Sequence, residues 1–180
     1  MQLIKINRML YIIMKSEDMT NLKDDIYVSK IHPIITFRGA LDSLEAMILE
    51  VQHLAAELKE EYYLNALKEI YAFTQDIMYA EVTGNPFVRD KLFGLTLETL
   101  HEQSHNVKEY FGFPHPAPDH TMGILSLKLN TLRTRVREIE LTAINTFSST
   151  DTHIQKRDDI VTALNRLSSA IYWLFCKNIV

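Results

Sequence analysis

The stretch Leu41–Leu58, LDSLEAMILEVQHLAAEL, decides the fold. Its apolar residues Leu41, Leu44, Ile48, Val51 and Ala55 recur at spacings of three and four, the period of one helical face. A half-buried strand would alternate at every second residue instead. Pro33 suits the first turn of the same helix, because that turn leaves its N–H groups unpaired and proline has none to lose. The pattern predicts a helix over Pro33–Leu58.

The same period continues outward from this helix. Tyr63, Leu67, Ile70 and Ile77 predict a second helix over Glu60–Val82, ended by the turn residues TGNP, Thr83–Pro86. A shorter helix is predicted over Leu95–Phe111, and a fourth over Gly123–Phe147 with its stripe at Leu125, Leu129, Leu132, Val136, Ile139 and Ala143. After the break at SSTD, Ser148–Asp151, a last helix is predicted over Ile154–Lys177. GFPHPAPDHTMG, Gly112–Gly123, is too long for a plain connector and is a candidate functional loop. Residues 15–32 are polar, lack periodicity and predict an irregular arm. No β alternation of useful length and no internal repeat is visible. The expected fold class is all-α: about five helices in one bundle domain over 1–180, up-and-down where loops are short, with 1–32 as the N-terminal arm and 33–180 as the bundle.

Bulk properties narrow the function. The 180 residues are 47% hydrophobic and 23% charged, a globular balance. The net charge of −4 gives no electrostatic footprint for nucleic acid, so an anion site has to be a local cluster of basic groups. Cys176 is the single cysteine, which excludes a disulfide framework and a CxxC metal site within the chain and favours a reducing, cytoplasmic setting. The apolar run Met9–Met14 is too short to span a bilayer and is followed by no small-residue cleavage site. It is expected to pack on the body or on a neighbouring subunit.

The stretch LNTLRTRVREIE, Leu129–Glu140, crowds Arg133, Arg135 and Arg137 into little more than one turn. At ~100° per residue, Arg133, Arg137 and Glu140 fall together, ~60–120° to one side of the apolar stripe. Asn130 and Ser126 share that flank, whereas Arg135 and Glu138 lie elsewhere. Like charges four apart cost a few tenths of a kcal/mol. Glu140 is placed to pair with Arg137, which leaves Arg133 to bind something else. A solvated face with partial salt bridging is the plain alternative. In LNRLSSA, Leu164–Ala170, Asn165 and Arg166 interrupt an apolar helix, and Asn there suggests a hydrogen-bonding task, functional or structural. Arg38 and Asp42 are i,i+4 partners, and Gly39 between them costs about 1 kcal/mol relative to Ala, which suggests a close neighbour. His101 and His105 share one helix face, with His115 and His120 in the next loop. That spacing permits a metal site, with loop packing or substrate contact as the other readings.

Three stretches occur in the order and spacing of a known family: VSKIHPIITFRGALDSLEA (Val28–Ala46), LRTRVREIE (Leu132–Glu140) and LNRLSS (Leu164–Ser169). In these the chain resembles the ATP:cob(I)alamin adenosyltransferases, and LHEQSH followed by a His- and Pro-containing loop resembles their ethanolamine-utilisation branch. The resemblance covers about Met19 to the C-terminus. It implies a helical bundle, usually a homotrimer with sites between subunits, that transfers the 5′-deoxyadenosyl group of ATP to reduced cobalamin and releases triphosphate.

By motif position the resemblance makes Arg133, Arg137 and Arg166 catalytic and ATP-site residues, with Glu140 and Asn165 beside them. Asp42 matches a subunit-contact ion pair near the site. Thr20 and Lys30 match the N-terminal loop that folds over the triphosphate. An aromatic residue closes the lower face of the corrin in the family, and Phe111 or Phe113 in YFGFPH is the candidate here. ATP with Mg²⁺ and cobalamin are the expected substrates. A flavin reductase and an adenosylcobalamin-dependent lyase are possible partners, with no nucleic acid, no membrane and no bound protein metal expected.

The chain departs from the family pattern in four places. The Gly-rich TGDxGTT loop is absent, Ser169 stands for the Asp of NRLSD, Glu45 stands where propanediol-type enzymes have Asn, and the upstream His and Cys-Cys-x-x-Cys motif is lacking. These departures are expected of a shorter, metal-independent variant or of one that has lost a domain. The alternatives are a non-catalytic cobalamin or ATP carrier of the same fold, or a metal-binding bundle using His101, His105, His115 and His120.

Overall fold

The computed structural model describes residues 2–6, 9–13, 16–151 and 153–179, with side chains from residue 16 onward. Four long helices form the body: α1 (Pro33–Glu57), α2 (Glu61–Thr83), α5 (Ile124–Phe147) and α6 (Asp158–Ile179). Helix α1 packs on α2 and α5, α5 packs on α6, and α2 closes the ring against α6. Contacts between opposite ends fix the directions. Thr146 near the end of α5 donates to the Pro33 carbonyl at the start of α1, and Ser126 at the start of α5 donates to Asn178 at the end of α6. Neighbouring helices are therefore antiparallel, and the expected up-and-down, all-α bundle is the observed fold.

Local chemistry explains the boundaries. His32 caps α1 by accepting the Ile34 N–H on Nδ1 at 3.2 Å, and Pro33 occupies the first turn. Helix α2 stops at Gly84 with φ +77°, a left-handed conformation that glycine adopts at no steric cost. The predicted helix over Leu95–Phe111 is two helices, α3 (Leu97–His105) and α4 (Val107–Phe111). Asn106 breaks it: its backbone leaves the helical region at φ −112° and ψ 47°, and its side chain donates to the Glu102 carbonyl. The last helix starts four residues later than the spacing suggested. Arg157 just before it is buried and donates to the carbonyls of Ala80 and Asn85, so this segment serves as a tie to the end of α2.

The N-terminal arm holds two short antiparallel hairpins, β1 (Gln2–Ile6) with β2 (Met9–Ile13) and β3 (Met19–Lys23) with β4 (Ile26–Ser29). The expected packing of Met9–Met14 on the body falls on side chains outside the described part. Leu22 and Val28 of the second hairpin pack on Ile34 at the start of α1. A third hairpin, β5 (Lys91–Leu92) with β6 (Leu95–Thr96), precedes α3. Phe37, Leu41, Leu44 and Ile48 of α1 are fully buried with Leu129, Leu132 and Val136 of α5 and Leu164, Leu167 and Ile171 of α6. The stripe read in the sequence is thus the core. No helix among the described residues is long and apolar enough to cross a membrane.

Candidate functional site

The polar flank of α5 faces α6 and the proline-rich loop. A hollow of about 300 Å³ opens there, lined by Arg133 and Arg137 of α5, Ser168, Ser169 and Tyr172 of α6, and His105 and His115. Among the described residues lining it none is Asp or Glu. Arg133 is held in place: its Nε donates to Asn130 Oδ1 at 3.1 Å, and its guanidinium lies 5.3 Å from the centre of the Tyr172 ring. Burial, and then the neighbouring Arg137 charge, push Arg133 below its ordinary pKa. Arg137 is exposed and makes no hydrogen bond or ion pair among the described residues. The two arginines therefore share a hollow with no counter-charge, which disposes it toward an anion.

Glu140 does not pair with Arg137, contrary to the i,i+3 expectation. Its Oε1 accepts from Asn165 Nδ2 of α6 at 2.9 Å. Asn165 Oδ1 in turn accepts from Arg166 at 2.7 Å, and Arg166 donates through Nε to Glu98 of α3 at 2.8 Å. A hydrogen-bonded chain thus runs Glu140–Asn165–Arg166–Glu98. It lies beside a second hollow of about 260 Å³ that shares His105, Arg137, Ser168 and Ser169 with the first. Arg166 does not join Arg133 and Arg137 within the chain. It lines a separate hollow with Glu98 and Asp159, because the Glu98 carboxylate holds it there. Arg135, off the flank, pairs with Glu138 at 2.9 Å.

The Ser169 that replaces the expected Asp meets His101, with Oγ 2.9 Å from Nδ1. Burial, then the charges of Arg166 and His105, hold His101 below the usual imidazole pKa. His101 and His105 stack at 4.3 Å between ring centres. His115 meets the Tyr172 hydroxyl, and His120 is exposed beside Asp119. The four histidines are not brought together, and no three His, Cys, Asp or Glu residues group to hold a metal ion among the described residues. The metal-binding bundle reading is therefore not favoured. Burial pushes the Tyr172 phenol up to about 12 and the Cys176 thiol up to about 11, so both stay protonated near neutrality.

The remaining expected residues lie away from this hollow. The Arg38–Asp42 pair does not form: Arg38 binds Glu81 of α2 at 2.6 Å and the Leu22 carbonyl at 3.0 Å, while Asp42 is exposed and unpaired among the described residues. Gly39 marks no close approach within the chain, since a Cβ there would meet nothing within 4 Å. Thr20 sits in β3 opposite Val28, and Lys30 follows β4, on the hairpin docked at the start of α1. Phe111 packs on Trp173 at 5.9 Å and on Phe113 at 6.1 Å, both half-buried against the core. Sequence reasoning missed Tyr172 and the arrangement of His105 and His115. Tyr172 stands four residues after Ser168, one turn along the same α6 face, and that spacing was its available signal.

The family model for cobalamin adenosyltransferase matches residues 11–178. The chain is 34% identical over 161 residues to the corrinoid adenosyltransferase EutT of Salmonella typhimurium, covering 89% of this chain and 58% of that protein. It is 35% identical over 158 residues to EutT of Escherichia coli K12, covering 88% and 57% respectively. The chain thus spans less than two thirds of the length of these relatives. No solved structure matches it significantly. Order of motifs, helical architecture and a match over nearly the whole length agree, and the chain belongs to the cobalamin adenosyltransferase family.

Proposed function

We propose that the chain is an ATP:cob(I)alamin adenosyltransferase of the ethanolamine-utilisation type. The observation that carries this reading is the hollow between α5 and α6, which presents Arg133 and an unpaired Arg137 and no carboxylate. Cob(I)alamin, as substrate, is itself the nucleophile. Its cobalt bonds to C5′ of ATP, the C5′–O bond breaks, and triphosphate leaves with the electron pair. The protein needs no nucleophile of its own, only alignment and charge stabilisation of the leaving group. Arg133 and Arg137 supply fixed positive charge suited to bidentate phosphate contact. Mg²⁺ accompanies the triphosphate as a further counter-charge.

The other assigned residues take supporting places. Arg166, braced by Glu98, holds Asn165 against Glu140 beside the second hollow, which shares Arg137 with the first, so it is a positioning residue in this arrangement. Thr20, Lys30 and Asp42 act on a neighbouring subunit's hollow in a homotrimer, which accords with their distance from the hollow of their own chain. Phe111 and Phe113 are the aromatic plug that closes the lower corrin face when Co(II) is reduced. A flavin reductase supplies the electron and an adenosylcobalamin-dependent lyase receives the product, in the cytoplasm.

The test is an assay with ATP, Mg²⁺ and chemically reduced cobalamin, read as adenosylcobalamin and triphosphate formed in equal amounts. Both products are expected, and both should fall at least tenfold in Arg133→Ala. Bound cobalamin without product under reducing conditions would replace this reading with a non-catalytic carrier.

A further inference from the structure

His105 and His115 lie in the Arg133–Arg137 hollow and have no task in the reading above. His105 comes from the last turn of α3 and His115 from the proline-rich loop. Each commits Nδ1 to the protein. His105 Nδ1 is 2.9 Å from the His101 carbonyl, which only accepts, so that nitrogen carries the hydrogen. His115 Nδ1 is 2.9 Å from Tyr172 Oη, with the two rings stacked 14° from parallel. In both rings Nε2 has no partner among the described residues. An imidazole fixed at one nitrogen presents the other in a set direction, as ligand-binding histidines do.

The chemistry of the walls selects the ligand. Two guanidinium groups, two imidazoles and several hydroxyls line the hollow without one carboxylate, in a chain with 23 acidic and 19 basic residues. A divalent cation on the two Nε2 atoms would sit against two positive charges in the same space. An anion meets two guanidinium donors. His115 donates from Nε2 when its Nδ1 accepts the Tyr172 hydroxyl, and His105, whose Nδ1 already carries a hydrogen, donates from Nε2 as the imidazolium, the form an anion's charge favours. A volume of about 300 Å³ stands at the small end of ligand sites and suits a short phosphate chain better than a whole nucleotide or a corrin ring. The glycine-rich segment whose backbone would cradle phosphate is absent from this sequence.

We propose that His105 and His115 are phosphate-binding residues that complete, with Arg133 and Arg137, a cradle for a linear polyphosphate, in the role of the missing glycine-rich loop. This rests on the reading of the hollow as the ATP triphosphate site. Tyr172 unites the two halves of the cradle, since Arg133 lies over its ring and His115 meets its hydroxyl. The proline-rich loop is thereby tied to the same helix that carries Ser168 and Ser169.

The experiment is titration calorimetry of the full chain with inorganic tripolyphosphate, without corrinoid. His105→Ala and His115→Ala should each weaken binding by about tenfold, and the double variant by more. His120→Ala, in the same loop but outside the hollow, should bind as the parent does. His105→Gln and His115→Gln, which keep a donor, should recover part of the loss, and far-UV circular dichroism should stay unchanged in all of them. Parental affinity in the double variant overturns the proposal, as does stoichiometric Zn²⁺ binding lost in that variant while tripolyphosphate binding persists. Tripolyphosphate binding that depends on both histidines, in a chain that forms no adenosylcobalamin, sustains the cradle and sinks the enzyme reading. Adenosyl transfer with an unchanged KM for ATP in the double variant does the reverse.

Discussion

Asn165 of α6 donates its amide nitrogen to Glu140 Oε1 of α5 at 2.9 Å, while the other end of the same amide accepts from Arg166 at 2.7 Å. One amide thus joins a carboxylate and a guanidinium with both its polarities matched. Aspartate has nearly the same shape and cannot donate when ionised. Asn165→Asp should set two carboxylates against each other and destabilise the chain by about 1–3 kcal/mol. Asn165→Ala, which leaves Glu140 its solvent, should cost less. Urea unfolding of the two variants checks the order, and an Asp variant as stable as the parent would show that the chain of bonds is not formed in solution.

Arg137 and Arg133 should separate stability from function. Arg137 has no partner among the described residues and repels Arg133, so Arg137→Ala should leave stability unchanged or raise it by a few tenths of a kcal/mol. Arg133→Ala loses the bond to Asn130 and the contact with the Tyr172 ring, and should cost about 1 kcal/mol. Both should raise the KM for ATP. Thermal melts and ATP kinetics on the same samples test the split, and an Arg137→Ala variant that loses stability but keeps its KM would return this residue to a structural role.

The Arg157–Asp159 pair governs the acid limb of stability. The Arg157 hydrogen bonds hold the Asp159 carboxyl down at about 2 from its ordinary 3.8. A depressed carboxyl contributes stability that is complete above 3.8 and is lost as pH falls toward 2. Arg157 is almost fully buried, so Asp159→Asn should cost about 3 kcal/mol near neutrality. The melting temperatures of parent and variant should converge as pH is lowered from 4 to 2. Parallel curves over that range would mean that Asp159 titrates normally.

The helices and their buried faces were legible because Leu41, Leu44, Ile48 and Val51, and their counterparts in α5 and α6, repeat at the helical period with little competition. The β3–β4 hairpin was not. Its strands are short and largely exposed, and the turn rests on Asp24 at φ +50° rather than on an Asn-Gly or Asp-Gly pair. The crowding of Arg133 and Arg137 on one flank was readable from 100° steps, but their neighbours were not. Local spacing offers Glu140 to Arg137 and Asp42 to Arg38. Partners distant in sequence win both times, Asn165 for Glu140 and Glu81 for Arg38. Glu98, 68 positions from Arg166, leaves no periodic trace at all.

The two phenylalanines proposed as the aromatic plug differ in their packing obligations. Phe111 is engaged edge-on with Trp173, whereas Phe113 touches Phe111 from the loop side. Phe111→Ala should therefore lower stability by about 2 kcal/mol, and Phe113→Ala by less. The double variant should fail to form four-coordinate Co(II) on the protein with ATP bound. The electron paramagnetic resonance spectrum of bound cob(II)alamin reads this directly, and a four-coordinate signal of parental size would remove both residues from the corrin face.

Ser169→Asp restores the family residue and should act against the hollow as this chain builds it. Ser169 Oγ stands 2.9 Å from His101 Nδ1 and lines the space around Arg137. A carboxylate there would favour the imidazolium and raise the His101 pKa, which burial now holds down. The sign of the pH dependence then reverses. In the parent, neutral His101 is favoured by folding, so its contribution to stability is complete above the unfolded value and is lost as pH falls from there through the lowered folded value. In the variant, protonated His101 is favoured, so the contribution is present at low pH and is lost as pH rises through the raised folded value. The same carboxylate would partly neutralise Arg137 and weaken tripolyphosphate binding. Melting temperature at pH 5 against pH 8, with imidazole titration by NMR, checks the reversal. A variant that binds tripolyphosphate more tightly than the parent would show that the hollow lacked a carboxylate it needs.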